Sequence, residues 1–257
     1  MSLARTALRI AAVRALRGAT IAESRVFDSR IEEIKFEEPQ DRLPLVIVTT
    51  DDEEISQITG LDVIGAPSAL DLVFDMSIAT SITLENGDSD IAVGQTDSGL
   101  ELALDVLSRQ VIMTLQTATT PWADLFRSLC LKVETVIARR GADTREGVRF
   151  AARQLVFQVM PLSDPAYTPE AGTPIARFLA LCDQAPDLAL VAATFRSQIS
   201  ASPGSPQADR AMLGLSADVA DRIVLDIPGP QPPPSPGLWI DGGQAAGGGA
   251  ALPPEEE

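Results

Sequence analysis

The segment LDLVFDMSIATSITLE, residues 70 to 85, has the pattern that most restricts the fold of this chain. Seven apolar side chains from Leu70 to Leu84 fall on even positions, whereas Asp71 and Asp75 fall on odd positions. A period of two over so many residues is typical of a long antiparallel strand with one face on a core and the other in water. The pattern therefore predicts a sheet with a solvated face.

A second strand is predicted from LPLVIVTT, residues 43 to 50, where apolar positions follow one another without alternation. Such a run is typical of a strand that is buried on both faces. Four consecutive acids, Asp51 to Glu54, follow it directly. We expect these acids to lie in a loop beyond the strand.

Two further strands are predicted at residues 131 to 140 and 148 to 160, joined by a turn at 141 to 143. The apolar parity of the second one slips between Phe150 and Leu155, which predicts a β-bulge near Arg153. Residues 23 to 39 mix charged, apolar and β-branched positions, as in an exposed strand or an extended arm.

Helical spacing of apolar residues appears in several other segments. Predicted helices span 3 to 17, 98 to 117, a short segment that begins at Pro121, 174 to 184, 186 to 199 and, weakly, 207 to 223. The predicted fold class is α+β: a mixed, mainly antiparallel sheet with helices packed on one face.

The composition changes along the chain and predicts three parts. Residues 1 to 160 form the α+β domain, 161 to 227 a helical C-terminal extension, and 228 to 257 a Pro/Gly-rich tail that contains PGPQPPPSPG. Such a tail cannot bury enough apolar surface to fold alone. No apolar run reaches the roughly 20 residues that cross a bilayer, so no membrane span is predicted.

Charge and residue types restrict the function. The formal net charge is −16, and no lysine or arginine occurs from Leu43 to Ser108, so the chain is poorly suited to gripping nucleic acid. The absence of histidine excludes Ser-His-Asp and Cys-His catalysis and HExxH zinc sites. Cys130 and Cys182 lie in apolar segments and are predicted to be reduced, buried thiols. We predict no enzyme activity, catalytic residue, cofactor or metal site.

The first predicted helix is the basic part of the chain. Two interpretations of its arginines remain open: they form a solvated face, or they meet the acidic surface of another copy. The acids after residue 50 face either a central channel or a basic patch on a neighbour, and Trp239 anchors the tail on a neighbour. The predicted interface residues are Arg5, Arg9, Arg14, Arg17, Asp51, Asp52, Glu53, Glu54 and Trp239.

The order of these elements resembles the tail terminator proteins of long-tailed bacteriophages. A leading helix is followed by RVFDSR (25 to 30), LPLVIVTTDDE (43 to 53), a long strand, the helix LELALDVLSRQVIMTL (100 to 115) and two paired strands. Short members of that family end near residue 160 of this chain, so the remainder is an addition.

The resemblance implies an α+β fold assembled as a hexameric ring that caps the tail tube. It implies contacts with the tail tube protein on one side and the head-tail connector (stopper) protein on the other, with DNA passing through the lumen without specific binding. The implied location is the virion, at the head-tail junction of the tail, after synthesis in the host cytoplasm.

Other functions remain open at this stage. A head-tail connector or tail-completion protein has the same requirements as a terminator. An acidic adaptor module would bind a basic partner and could use PQPPPSPG as a docking peptide. An unusual hydrolase would depend on carboxylates alone.

Overall fold

The computed structural model describes residues 2–30, 44–58, 60, 63–81, 97–145, 148–165 and 169–199. All of them belong to the first of two compact units, Met1–Leu213 and Gly214–Glu257. The elements in chain order are α1 (Leu3–Leu16), β1 (Val26–Asp28), β2 (Leu45–Ile55), β3 (Ser68–Ser81), α2 (Asp97–Thr117), α3 (Pro121–Leu129), β4 (Cys130–Arg145), β5 (Val148–Pro161), α4 (Pro174–Asp183) and α5 (Ala189–Ile199).

The five strands form one sheet in the order β1-β2-β3-β5-β4. Only β1 runs parallel to its neighbour, and all other neighbours are antiparallel. The strand predicted from period-two alternation, β3, lies in the middle and pairs with β2 and β5. The predicted α+β class is therefore confirmed.

The core lies between the helices and one face of the sheet. β3 contributes its even positions to that core, and Phe74 and Phe157 meet edge to face with ring centroids 5.1 Å apart. From the C-terminal helices, Phe178 and Phe195 join the same core, with ring centroids 4.9 Å apart. Residue 160, predicted to end the first domain, is therefore not a boundary of the core.

Local signals explain where the helices begin. Thr120 accepts a hydrogen bond from the backbone N–H of Ala123, and Pro121 occupies the first turn of α3. Helix α1 is capped from a distant part of the chain, because the Asp164 carboxylate accepts hydrogen bonds from the Leu3 and Ala4 N–H groups at 2.9 and 2.7 Å. This contact joins the segment just after β5 to the first turn of α1.

Two predictions about β2 and β4 were wrong. Strand β2 continues through Asp51 to Glu54 to Ile55, so these acids are not in a loop. Strand β4 continues to Arg145, through the turn predicted at 141 to 143. Small or polar residues there weaken the strand signal, but pairing with β5 keeps the backbone extended.

The predicted bulge near Arg153 was also wrong. The register between β3 and β5 is continuous through Arg153, whereas β2 shifts register between Thr50 and Glu53. Arg153 breaks the apolar parity because it lies on the helix side and binds carboxylates of α2. It forms ion pairs with Asp105 and, at 3.0 Å, with Glu101.

The face of β3 that was predicted to be solvated is more buried than expected. Val73 and Ser77 are buried there, with 1% and 6% exposure. Burial raises the pKa of Asp75, the hydrogen bond from Gln154 lowers it, and the charge of Asp51 raises it further. Burial is the largest cause, so folding disfavours the charged form of the Asp75 carboxyl.

We expect Asp75→Asn to raise the free energy of unfolding at pH 7. Folding raises the pKa of Asp75, so the folded state favours the protonated carboxyl. The stability that the protonated carboxyl contributes is complete below the ordinary pKa of 3.8 and is lost as pH rises through the pKa of the folded state. Asparagine keeps the Oδ1 acceptor for Gln154. Urea unfolding at pH 7 and pH 3.5 should show an advantage that disappears at the lower pH. Asp71→Asn removes the same charge from the same strand face and is the control; an equal gain from it would contradict the explanation.

Several predictions lie outside the described residues. They are the weak helix at 207 to 223, the loop at 85 to 90, most of the extended segment at 23 to 39, and the tail with Trp239.

Candidate interaction surfaces

The arginines of α1, and Arg17 at its C-terminal cap, bind within their own chain. Each guanidinium has a partner on a nearby element: Arg5 on β2, Arg9 at Asp28, Arg14 at Asp187 and Arg17 at the Val26 carbonyl. Their pairing with another copy remains a prediction, although each guanidinium already has a partner within its own chain.

Arg5 lies against the acidic end of β2. Its guanidinium donates to the Thr50 hydroxyl at 2.8 Å, to the Thr50 carbonyl, to the Asp51 carbonyl at 2.9 Å and to the Glu53 carboxylate at 3.4 Å. The Glu53 side chain is only 10% exposed. The arginine therefore neutralises a buried acid and occupies carbonyl groups of β2 beyond the short pairing with β1.

We expect Arg5→Ala to lower the free energy of unfolding by about 2–3 kcal/mol, because it leaves a charged, buried Glu53 without its partner. The double variant Arg5→Ala/Glu53→Gln should recover part of the loss, since it removes the uncompensated charge. Denaturant unfolding measures both changes. Arg196→Ala, which breaks a pair between two exposed side chains, is the control and should change stability by no more than about 1 kcal/mol. Equal losses from Arg5→Ala and Arg196→Ala would contradict the assigned role.

Three acids of β2 are exposed to solvent, and one of them, Asp51, accepts a hydrogen bond from the Thr49 hydroxyl at 3.2 Å. Asp52 and Glu54 are exposed and belong to no ion pair within the described part of the chain. The β2–β3 connection that follows them also exposes the apolar side chains of Ile58, Val63 and Ile64, by 48%, 44% and 61%. We call Asp52, Glu54 and these three apolar residues the acidic margin.

Strand β4 is the most open element of the sheet. It lies at the end of the strand order, and every side chain from Leu131 to Arg140 is exposed. Its large apolar side chains are exposed by 39% to 63%: Leu131, Val133, Val136 and Ile137. In the described structure no strand pairs with its outer edge, and unprotected edges of this kind are prone to pair with another chain.

The strand also carries positive charge. Lys132, Arg139 and Arg140 are exposed, against one exposed acid, Glu134. Lys132 pairs with Glu134, and Arg140 pairs with Glu101 of α2. Arg139 donates to Gln154 at 3.4 Å and has no carboxylate partner among the described residues. We call the exposed residues 131 to 140 the β4 margin.

Arg139 ends a row of polar side chains that crosses the sheet on its helix-free face. Gln154 donates to Asp75 at 2.9 Å and accepts from Arg139, and the three residues occupy adjacent positions on β3, β5 and β4. A shallow groove of about 390 Å³ follows this row, with Gly141 and Ala152 beside it. The Arg139 guanidinium therefore lies against Gln154 of β5 on the helix-free face.

Helix α2 has a second apolar stripe. Leu102, Val106 and Met113 recur at helical spacing and are exposed by 64%, 39% and 42%, on the side opposite the buried stripe. This stripe is therefore an alternative docking surface to the β4 margin.

Neither cysteine is prepared for nucleophilic chemistry. Burial raises the pKa of the Cys130 thiol and that of the Cys182 thiol to about 11, so both stay protonated at neutral pH. Both are free; Cys182 is buried, as predicted, but Cys130 is only half-buried. Within the described ranges no three His, Cys, Asp or Glu side chains are grouped as metal ligands require. No helix in those ranges has both the length and the apolar character to span a membrane.

Asp52 and Glu54 were among the interface residues predicted from the sequence, but the β4 margin and the apolar part of the acidic margin were not identified from it. The exposure of β4 depends on strand order, and the exposure of Asp52 and Glu54 depends on the β2 bulge. In comparisons with known proteins, no family model matches the chain and no curated protein matches it.

Proposed function

We propose that this chain is a structural protein of a bacteriophage tail, a tail terminator that forms a ring at the end of the tail tube. The observation that supports the proposal most is the β4 margin. A strand that exposes large apolar side chains on both faces and has an open edge is suited to being covered by another protein.

The fold is compatible with this proposal. The described part of the chain has one mixed sheet with its core helices on one face, as the resemblance implies. The helix α1, the strands β2 and β3, the helix α2 and the pair β4–β5 follow one another in the order on which the resemblance rests.

The placement of the two margins suits a ring. β2, which carries the acids of the acidic margin, and β4 are separated by three strand spacings or about 14 Å. A contact between two different surfaces of successive copies is heterologous, and it closes into a ring when the rotation between copies permits. The net charge of −16 would keep DNA from adhering to such a ring as it passes.

The proposal is tested by imaging purified protein mixed with bare tail tubes of the same phage. We expect rings of the isolated protein and a density that covers one end of each tube. Tails from mature virions, whose ends are already occupied, are the control and should bind no additional protein. Bare tubes that remain uncapped at a large excess of assembled protein would contradict the terminator role.

A further inference from the structure

Two surfaces of opposite charge lie at the two sides of the sheet, and each also exposes apolar side chains. We propose that the acidic margin of one copy docks on the β4 margin of the next copy, in a head-to-tail contact repeated around the assembly. This inference rests on the proposed function, because it assumes that the chain assembles with copies of itself.

Charge favours this pairing over the alternatives. The β4 margin carries Lys132, Arg139 and Arg140 against one acid, so pairing β4 with β4 of a second copy would bring like charges together. Asp52 and Glu54 are exposed acids without ion-pair partners in the described structure, and Arg139 is an exposed cation without a carboxylate. Docking would give these groups opposite charges.

Apolar surface favours the same pairing. Ile58, Val63 and Ile64 stand beside the two acids, and Leu131, Val133, Val136 and Ile137 stand beside the cations. Interfaces between proteins combine an apolar core with a polar rim, and each margin contains exposed apolar and charged side chains.

The β2 bulge and Arg5 explain why these acids are available. The register shift between Thr50 and Glu53 interrupts the alternation of side chains along β2. Arg5 of the same chain forms an ion pair with Glu53. Asp52 and Glu54, on either side, are left exposed. In this proposal the basic partner of Asp52 and Glu54 is β4 of a neighbouring copy, whereas the arginines of α1 bind groups of their own chain.

Two charge-reversal variants test the contact. The margin variant is Asp52→Lys/Glu54→Lys, and the strand variant is Lys132→Glu/Arg139→Glu. Assembly is measured by native mass spectrometry or by light scattering after gel filtration. Each variant alone should need at least a tenfold higher protein concentration than the wild type to assemble. Mixed in equal amounts they should assemble again, because each then offers the other a complementary surface, and the copies should alternate.

The control is Glu170→Lys/Asp183→Lys, which changes the net charge as much as the margin variant does but lies on neither margin. It should assemble as the wild type does. If the wild type assembles and either variant alone also assembles fully, or if mixing restores nothing, the head-to-tail contact is wrong while the ring function stands. If the wild type itself never assembles, the proposed function is wrong as well.

Discussion

Replacing Phe74 by alanine is expected to lower the free energy of unfolding by about 3–5 kcal/mol. Phe74 is fully buried on the central strand β3, and its ring packs edge to face on Phe157. The substitution opens a cavity where strand and helices meet, and neighbours on a regular sheet cannot move far enough to fill it. Urea unfolding followed by circular dichroism measures the loss.

Val136→Ala is the control for Phe74→Ala, because it also truncates an apolar side chain of the same sheet. Val136 is 47% exposed, so its truncation should change the stability of the isolated chain by about 0.5 kcal/mol or less. Similar losses from the two variants would mean that the core is not organised around β3.

The second large effect is expected from Val136→Asp/Ile137→Asp. These neighbouring residues point to opposite faces of β4, so the variant places a carboxylate on each face of the β4 margin. If this surface is buried between copies, two new charges there would be desolvated beside an acidic partner. We expect assembly to be lost and the chain to remain folded, because both positions are exposed in the single chain. Gel filtration with light scattering, checked by circular dichroism, measures this.

Leu102→Asp/Met113→Asp is the matched control for that variant. It adds the same charge to the competing apolar stripe of α2, which is exposed to a similar degree. We expect this control to assemble normally. The reverse result, in which the α2 variant is monomeric and the β4 variant assembles, would show that the interface lies on α2 and not on β4.

The local elements of this fold could be predicted from the sequence because their signals are periodic. Alternation from Leu70 gave β3, helical spacing from Leu100 gave α2, and Thr120 with Pro121 gave the beginning of α3. Each signal is local to one element. The first two depend on which side of the element faces the core, and the third is a helix-capping pattern.

The functional surfaces depend on contacts between distant residues, and local patterns do not contain these. Arg5 meets Glu53 across 48 positions, and Asp164 caps α1 across 160 or more. The four acids therefore resembled a solvated loop, although backbone pairing and one arginine hold them in a strand. The open edge of β4 follows from the order of five strands, which no segment specifies by itself.

The native mass of the wild-type protein over a wide range of concentrations tests the central claim most directly. A chain that works by fitting against its own copies should give one closed assembly, of about six chains if the resemblance holds, whose mass stays constant as concentration rises. A particle with the mass of one chain at every concentration would show that nothing covers the open strand, and the account would have to be abandoned.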